Sequence, residues 1–324
     1  MNDFDEPCRQ IPPSVRQDTT RSQFGRKRGH GATTSYTAIT TGLAPSVVLR
    51  DDVVDVMRLT GPAREHFLDD LSNLVANIFE GYDREYLTQE LLGNGLVSAK
   101  VLTIRNEHGA LVGFNMFRGF EFEIDGRTVA VFRALAGLLP EYRGRNSMLA
   151  FSFIQAIDYK LRHPLRQAHF LLCALHPSSY YLPARYAHKI WPRCEQETPA
   201  EKFLLMQRLF AAAGRSFGDG EHTYVARCGK RTLQNTQEST SWKASNIPQV
   251  RHFLRLNPNY ESGYGLVCLI PLTATNLLMS GLRFVTDKLY RKIKAKKSSV
   301  IMARAQFRAA ILAGFTAKDQ DVPK

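Results

Sequence analysis

The chain has 324 residues, 44% of them hydrophobic, which is enough length and apolar content for one large domain or two modest ones with a packed core. A formal net charge of +13 draws it to polyanions, whether nucleic acid, an acidic membrane face or phosphorylated small molecules, without choosing among them. Five cysteines with no C-x-x-C pair suit a reducing compartment better than a disulfide framework and offer no zinc signature, and the early Asp and Glu residues argue against a secretory signal, so the expected location is the cytoplasm.

Residues 1–45 mix Pro, Gly, Ser, Thr, Gln and charge without periodicity and are expected to form a disordered basic tail, its Arg26-Lys27-Arg28 run simply solvated. From Val47 the texture changes. DDVVDVMRLT reads as a strand, followed by a helix with Phe67, Leu68, Leu71, Leu74, Val75 and Ile78 on one face and by a second helix over DREYLTQELL. Two β-rich runs come next, VSAKVLTIR and ALVGFNMFRGFEFEI, joined by the turn residues Asn106 to Gly109; Asp125-Gly126 supplies another tight turn.

The stretch from Arg127 to Leu161 then reads as a buried strand ending at Pro140, a basic turn, and a helix with Met148, Leu149, Phe151, Ile154, Ile157 and Leu161 on its apolar face. A helix N-terminus leaves backbone N–H groups unpaired, and its dipole together with Arg143 and Arg145 makes a place for a diphosphate. QAHFLLCAL, bounded by prolines, is a further buried strand, and a helix is expected over AEKFLLMQRLFAAA. HTYVARC reads as a strand, KRTLQNTQESTSWKAS as a loop or linker, IPQVRHFLRL as a short amphipathic helix and LVCLIPL as a strand. After Thr273 a helix is expected, with Leu278, Leu282, Val285, Leu289 and Ile293 on one face. That face is expected to pack on its own domain; the competing reading lays the basic 274–297 helix against an anionic membrane. The end, 318–324, is expected to fray.

Pro140-Glu141-Tyr142-Arg143-Gly144-Arg145-Asn146-Ser147-Met148 resembles the cofactor loop of the GNAT superfamily of acyl-CoA-dependent N-acyltransferases, in which a strand ending in proline is followed by Arg/Gln-x-x-Gly-x-Gly/Ala. Asn146 and Met148 stand where that family usually has glycine or alanine. The order of elements is similar too, so the resemblance implies an α/β (α+β type) fold. Its mixed, mainly antiparallel sheet is flanked by helices over 46–230, and a C-terminal region at 231–317 packs on it or forms a second lobe.

What the resemblance implies for the site is specific. Acetyl-CoA or a longer acyl-CoA, or an acyl-carrier thioester, is the expected partner, held by Leu138, Leu139, Arg143, Gly144, Arg145, Asn146, Ser147 and Met148. The central strand and QAHFLLCA would splay to admit the pantetheine arm, and the acyl group would pass to an amine acceptor. Such transfer needs a base, an oxyanion donor and an acid for the thiolate. Tyr186 aligns with a family tyrosine and is the candidate acid, with His176 as the candidate base and Glu121 and Glu123, on one strand face, its rivals.

A non-catalytic binding module for acyl-CoA or an anionic membrane surface is the alternative. No Walker loop, H-E-x-x-H, G-x-S-x-G or dinucleotide motif occurs, no metal is expected, and nucleic acid is disfavoured because bulk charge alone supports it.

Overall fold

The computed structural model describes residues 49–143, 147–194, 196–217, 224–291 and 293–294. The expected tails, the loop residues Gly144, Arg145 and Asn146, the side chain of Ser147 and the end of the basic C-terminal run lie outside the described residues.

Nine strands form, in chain order, among the described residues: β1 (Arg50–Asp55), β2 (Phe79–Glu80), β3 (Leu96–Arg105), β4 (Leu111–Ile124), β5 (Arg127–Leu138), β6 (Gln167–Ala174), β7 (Val225–Arg227), β8 (Arg231–Thr232) and β9 (Tyr264–Pro271). Seven of them make one sheet in the order β1-β3-β4-β5-β6-β9-β7, while β2 and β8 pair separately. Within the large sheet only β5 and β6 run parallel.

The two hairpins follow from their turn residues. Asn106 Oδ1 accepts from the backbone N–H of His108 and Ala110, closing the β3–β4 turn. Asp125 and Gly126 both take positive φ, 51° and 71°, as the turn that matches strand twist requires.

Helices cover both faces. On one lie α1 (Gly61–Ala76), α2 (Arg84–Leu92) and α5 (Ala200–Ala212); on the other lie α3 (Ser147–Arg162), α4 (Pro177–Tyr186), α7 (Pro248–Leu256) and α8 (residues 274–291). Strand alternation sorts the side chains between them. Phe117 and Phe132 stack 5.1 Å apart and meet Phe151 of α3, whereas Met116 packs with α1 and α2 and Val131 with Leu209 and Phe210 of α5.

Three sequence expectations change. The stretch expected as an irregular loop contains β8 and a helix, α6 (Thr236–Lys243). That helix buries no residue; it is held by polar contacts, with Asn235 Oδ1 accepting from Glu238 N at 2.8 Å, and Lys243 reaching Glu261 at 2.6 Å. The expected apolar face of α3 is rotated: Phe151, Ser152 and Ala156 are buried, while Ile154 and Leu161 are exposed.

The third concerns α8, whose predicted inward face points outward, with Leu278, Leu282, Val285, Leu289 and Ile293 all more than half exposed. Its opposite side is fixed by hydrogen bonds instead. The Asn276 amide accepts from Lys189 N and donates to Lys189 and Pro271 carbonyls, and Ser280 Oγ accepts from His188 N. These satisfy backbone groups that would otherwise be buried unpaired, which outweighs burial of the apolar stripe. Among the described residues no helix is long and apolar enough to cross a membrane. β9 enters the large sheet between β6 and β7, so residues on both sides of the expected 230/231 boundary share that sheet.

Candidate functional site

β5 and β6 are paired only from Val129↔Gln167 to Phe132↔Phe170. Beyond that point β5 continues to Leu138 on β4, and β6 continues to Ala174 on β9, so the two strands part. The β5 edge facing the gap has no strand partner among the described residues, which leaves its backbone polar groups available to a guest.

A cavity of about 40 Å³ opens at this gap, with Ala134 and Leu135 of β5 and Leu171 and Cys173 of β6 on its walls. Around them stand Tyr82, Tyr86, Glu90, Arg118, Arg133, Arg215, Cys228 and Lys230. Arg118 and Arg133 sit directly opposite each other on β4 and β5, one residue along from the Phe117–Phe132 pair, and so face away from α3. Glu90 of α2 meets both: it is in direct contact with Arg118, lies 3.7 Å from Arg133, and accepts from Arg215 at 3.0 Å. Arg215 also donates to the Tyr86 hydroxyl at 2.5 Å, and the Lys230 ammonium lies 3.7 Å from the centre of the Tyr86 ring.

Burial, then the Arg133 charge, lowers the pKa of Arg118 to about 9, which still leaves it charged at neutral pH; burial lowers that of Arg133 as well. Cys173 and Cys228 lie with their sulfurs 3.1 Å apart beneath the cationic group, in space that exists because residue 265 is glycine: a Cβ there would collide with Cys173. At that distance either thiol can donate to the other. The thiol hydrogen bond from Cys173, with Arg215 and Lys230 nearby, brings Cys228 down to about 7, and the same hydrogen bond together with burial pushes Cys173 up.

The residues singled out from the sequence lie elsewhere. Tyr186 is buried and donates to Asp287 of α8 at 2.8 Å. His176 caps α4: its Nδ1 accepts from Ser178 N, so Nε2 carries the proton and donates to Gln234 at 3.0 Å. Burial lowers its pKa, and both ring nitrogens are occupied. Glu121 pairs with Arg166 and Glu123 accepts from Thr128, both on the face of β4 away from the cavity.

Around the expected phosphate loop, Leu139 N–H bonds Val112 O, and the guanidinium of Arg143 is engaged by Glu238 at 2.5 Å and by the Leu233 carbonyl. Met148 packs beside Ile104, Val112 and Leu138, and its carbonyl accepts from Asn115 at 2.6 Å, so its side chain does not enter the gap. The Glu90 cluster was missed from the sequence. One signal was present: Arg118 and Arg133 each follow a phenylalanine in the mainly apolar middle of a strand.

No protein-family model and no curated protein sequence matches the chain. Solved structures do match. A ribosomal-protein-alanine N-acetyltransferase from Brucella melitensis is 15% identical over 42% of this chain and 88% of its own, with a TM-score of 0.28. A GNAT family N-acetyltransferase from Escherichia coli in complex with CoA is 14% identical over 43% of this chain and 68% of its own, TM-score 0.29. Arabidopsis thaliana Naa50 with a bisubstrate analogue is 12% identical over 68% of this chain and 97% of its own, TM-score 0.29. The mixed, mainly antiparallel sheet of this chain and its parted parallel pair are the features expected from the sequence resemblance.

Proposed function

We propose that this chain is an acyl-CoA-dependent N-acyltransferase whose donor thioester enters between β5 and β6. The observation that carries the reading is the parting of those strands after Phe132 and Phe170, with a cavity on the sheet face opposite α3. The unpaired β5 edge offers hydrogen bonds to an extended amide arm, as an added strand would take them. Ala134, in register with Phe117, carries its small side chain on the α3 side of that edge.

In the reaction the amine nitrogen attacks the thioester carbon, the carbon–sulfur bond breaks, and the coenzyme sulfur leaves with the bonding pair. Thiols ionise near pH 8.5, so this leaving group departs as thiolate without a dedicated acid. The proton lost by the amine passes to Cys228, the cavity thiol whose pKa of about 7 lets it act as a base near neutrality.

The test is release of free thiol from acetyl-, octanoyl- and palmitoyl-CoA in the presence of an amine panel. Amine-dependent release with at least one donor is expected. Binding of a thioester without release would leave a non-catalytic binding module, and neither binding nor release would remove the donor site.

A further inference from the structure

We infer that the cavity binds a carboxylate, and that the acceptor amine is an amino acid or a similar amino-carboxylate. This rests on the N-acyltransferase reading for the word acceptor, and on the charges alone for the carboxylate.

The cavity wall carries Arg118, Arg133, Arg215 and Lys230 against a single carboxylate, Glu90, and the Cys228 thiol, whose pKa of about 7 makes it at most one further anion, so an excess of two to three cations is left. Asp83, at the N-cap of α2, is exposed and accepts from the N–H of Tyr86; its charge acts on Lys230 from outside the cavity wall. Three of the four are guanidinium groups, which keep their protons at neutral pH, so most of the excess cannot be relieved by loss of a proton; only Lys230, whose pKa burial lowers, could yield one. Arg118 and Arg133 are moreover in direct cross-strand register, a repulsive placement for like charges.

Glu90 is already divided among three arginines, and Arg118 Nε, on a residue only 3% exposed, is buried with no hydrogen-bond partner. A donor in that state marks where an acceptor oxygen belongs. The space is right for one small group: about 40 Å³ holds on the order of three water-sized spheres, the size of a carboxylate. Planar forks favour a planar, two-oxygen partner.

The charge belongs to the acceptor and not to the acyl group because of where it lies. The expected diphosphate site is at the start of α3, and the cationic cluster is on the opposite sheet face, reached through the gap. A donor threaded from the α3 side presents its carbonyl in the gap, and the second reactant approaches from the cluster side.

The first titration uses the full chain without any thioester, and a second adds acetyl-CoA or succinyl-CoA. Thermal shift and calorimetric titration are run with glycine, L-alanine, L-leucine, L-phenylalanine and L-glutamate, with the carboxamide of each, and with inorganic phosphate. At least one amino acid is expected to bind about tenfold or more tightly than its carboxamide, as expected for charge-assisted pairing. The preference should be lost in Arg215→Gln and in Lys230→Met. Both residues are partly exposed and both variants keep the Arg118–Glu90 contact; circular dichroism checks that each is folded.

Equal binding of acids and carboxamides would overturn the inference, and so would stabilisation by phosphate with no response to any carboxylate. A larger shift with succinyl-CoA than with acetyl-CoA, together with silence toward all amino acids, would move the charge to the acyl group and also overturn it. Because no thioester is present in the first titration, failure of thiol release leaves carboxylate binding standing, and failure of carboxylate binding leaves thiol release standing.

Discussion

Arg118 and Arg133 face each other across the β4–β5 ladder and share one carboxylate, Glu90. The pair is tolerated because Glu90, reaching in from α2, supplies the only carboxylate lining the cavity among the described residues. Glu90→Gln removes that charge while keeping the side chain's shape. Breaking such a buried pair costs about 3–5 kcal/mol. Urea denaturation should register a loss of that size, partly restored by added acetate; an unchanged midpoint would show that the arginines are solvated.

His169 sits on β6, 6% exposed, where its Nδ1 has no partner. Burial, with Lys202 adding to it, lowers its pKa from 6.5 to about 4. The folded state therefore takes up this proton later than the unfolded chain does. Its contribution is fully present above pH 6.5 and is lost as the pH falls from 6.5 to 4, at about 1.4 kcal/mol per pH unit. Denaturation measured at pH 7, 6, 5 and 4 should show that slope. In His169→Gln, which cannot titrate, the slope over the same window should flatten; persistence of the full slope would assign it to other groups.

Cys228 and Cys268 should behave oppositely toward iodoacetamide. The first lies in the cationic cavity with its pKa brought to about 7, and the second is fully buried, where burial pushes its pKa far up. Mass spectrometry over pH 5–9 is expected to show Cys228 labelling with a midpoint near 7 and Cys268 unlabelled in the folded protein. A Cys228 midpoint above 8.5 would remove it as the base.

Tyr186 holds α8 through Asp287, which also takes Arg185 at 2.6 Å. Tyr186→Phe should cost about 1.5–3 kcal/mol, the range for a hydrogen bond to a charged group, and leave amine-dependent thiol release unchanged. A selective fall in kcat with stability intact would instead return Tyr186 to the role of acid.

The fold was legible largely because its signals are local. Alternation in FNMFRGFEFEI, the Asp125-Gly126 turn and the prolines around QAHFLLCA each dictate geometry over a few residues, and β4, β5 and β6 lie where those patterns put them. What failed was non-local. The capping pair Asn235 and Glu238 was readable as a helix start, yet α6 buries nothing, so hydrophobic periodicity could not reveal it. The outward face of α8 follows from hydrogen bonds between Asn276, Ser280 and residues 187–189, which no periodicity encodes. At the site, Arg118 and Arg133 announced themselves as charges in the mainly apolar middle of their strands. Their convergence with Glu90 and Arg215 depends on α2 and the end of α5 meeting over the sheet.

The most direct test of the account is calorimetric titration of acetyl-CoA into the wild-type chain and into Ala134→Trp, which sets an indole on the α3 side of the unpaired β5 edge, the side from which the donor is threaded. The account predicts binding by the wild type and a loss of about tenfold or more in the variant, equivalent to at least about 1.4 kcal/mol, with the circular dichroism spectrum unchanged. Equal affinities in the two proteins, or no binding to the wild type, would contradict it.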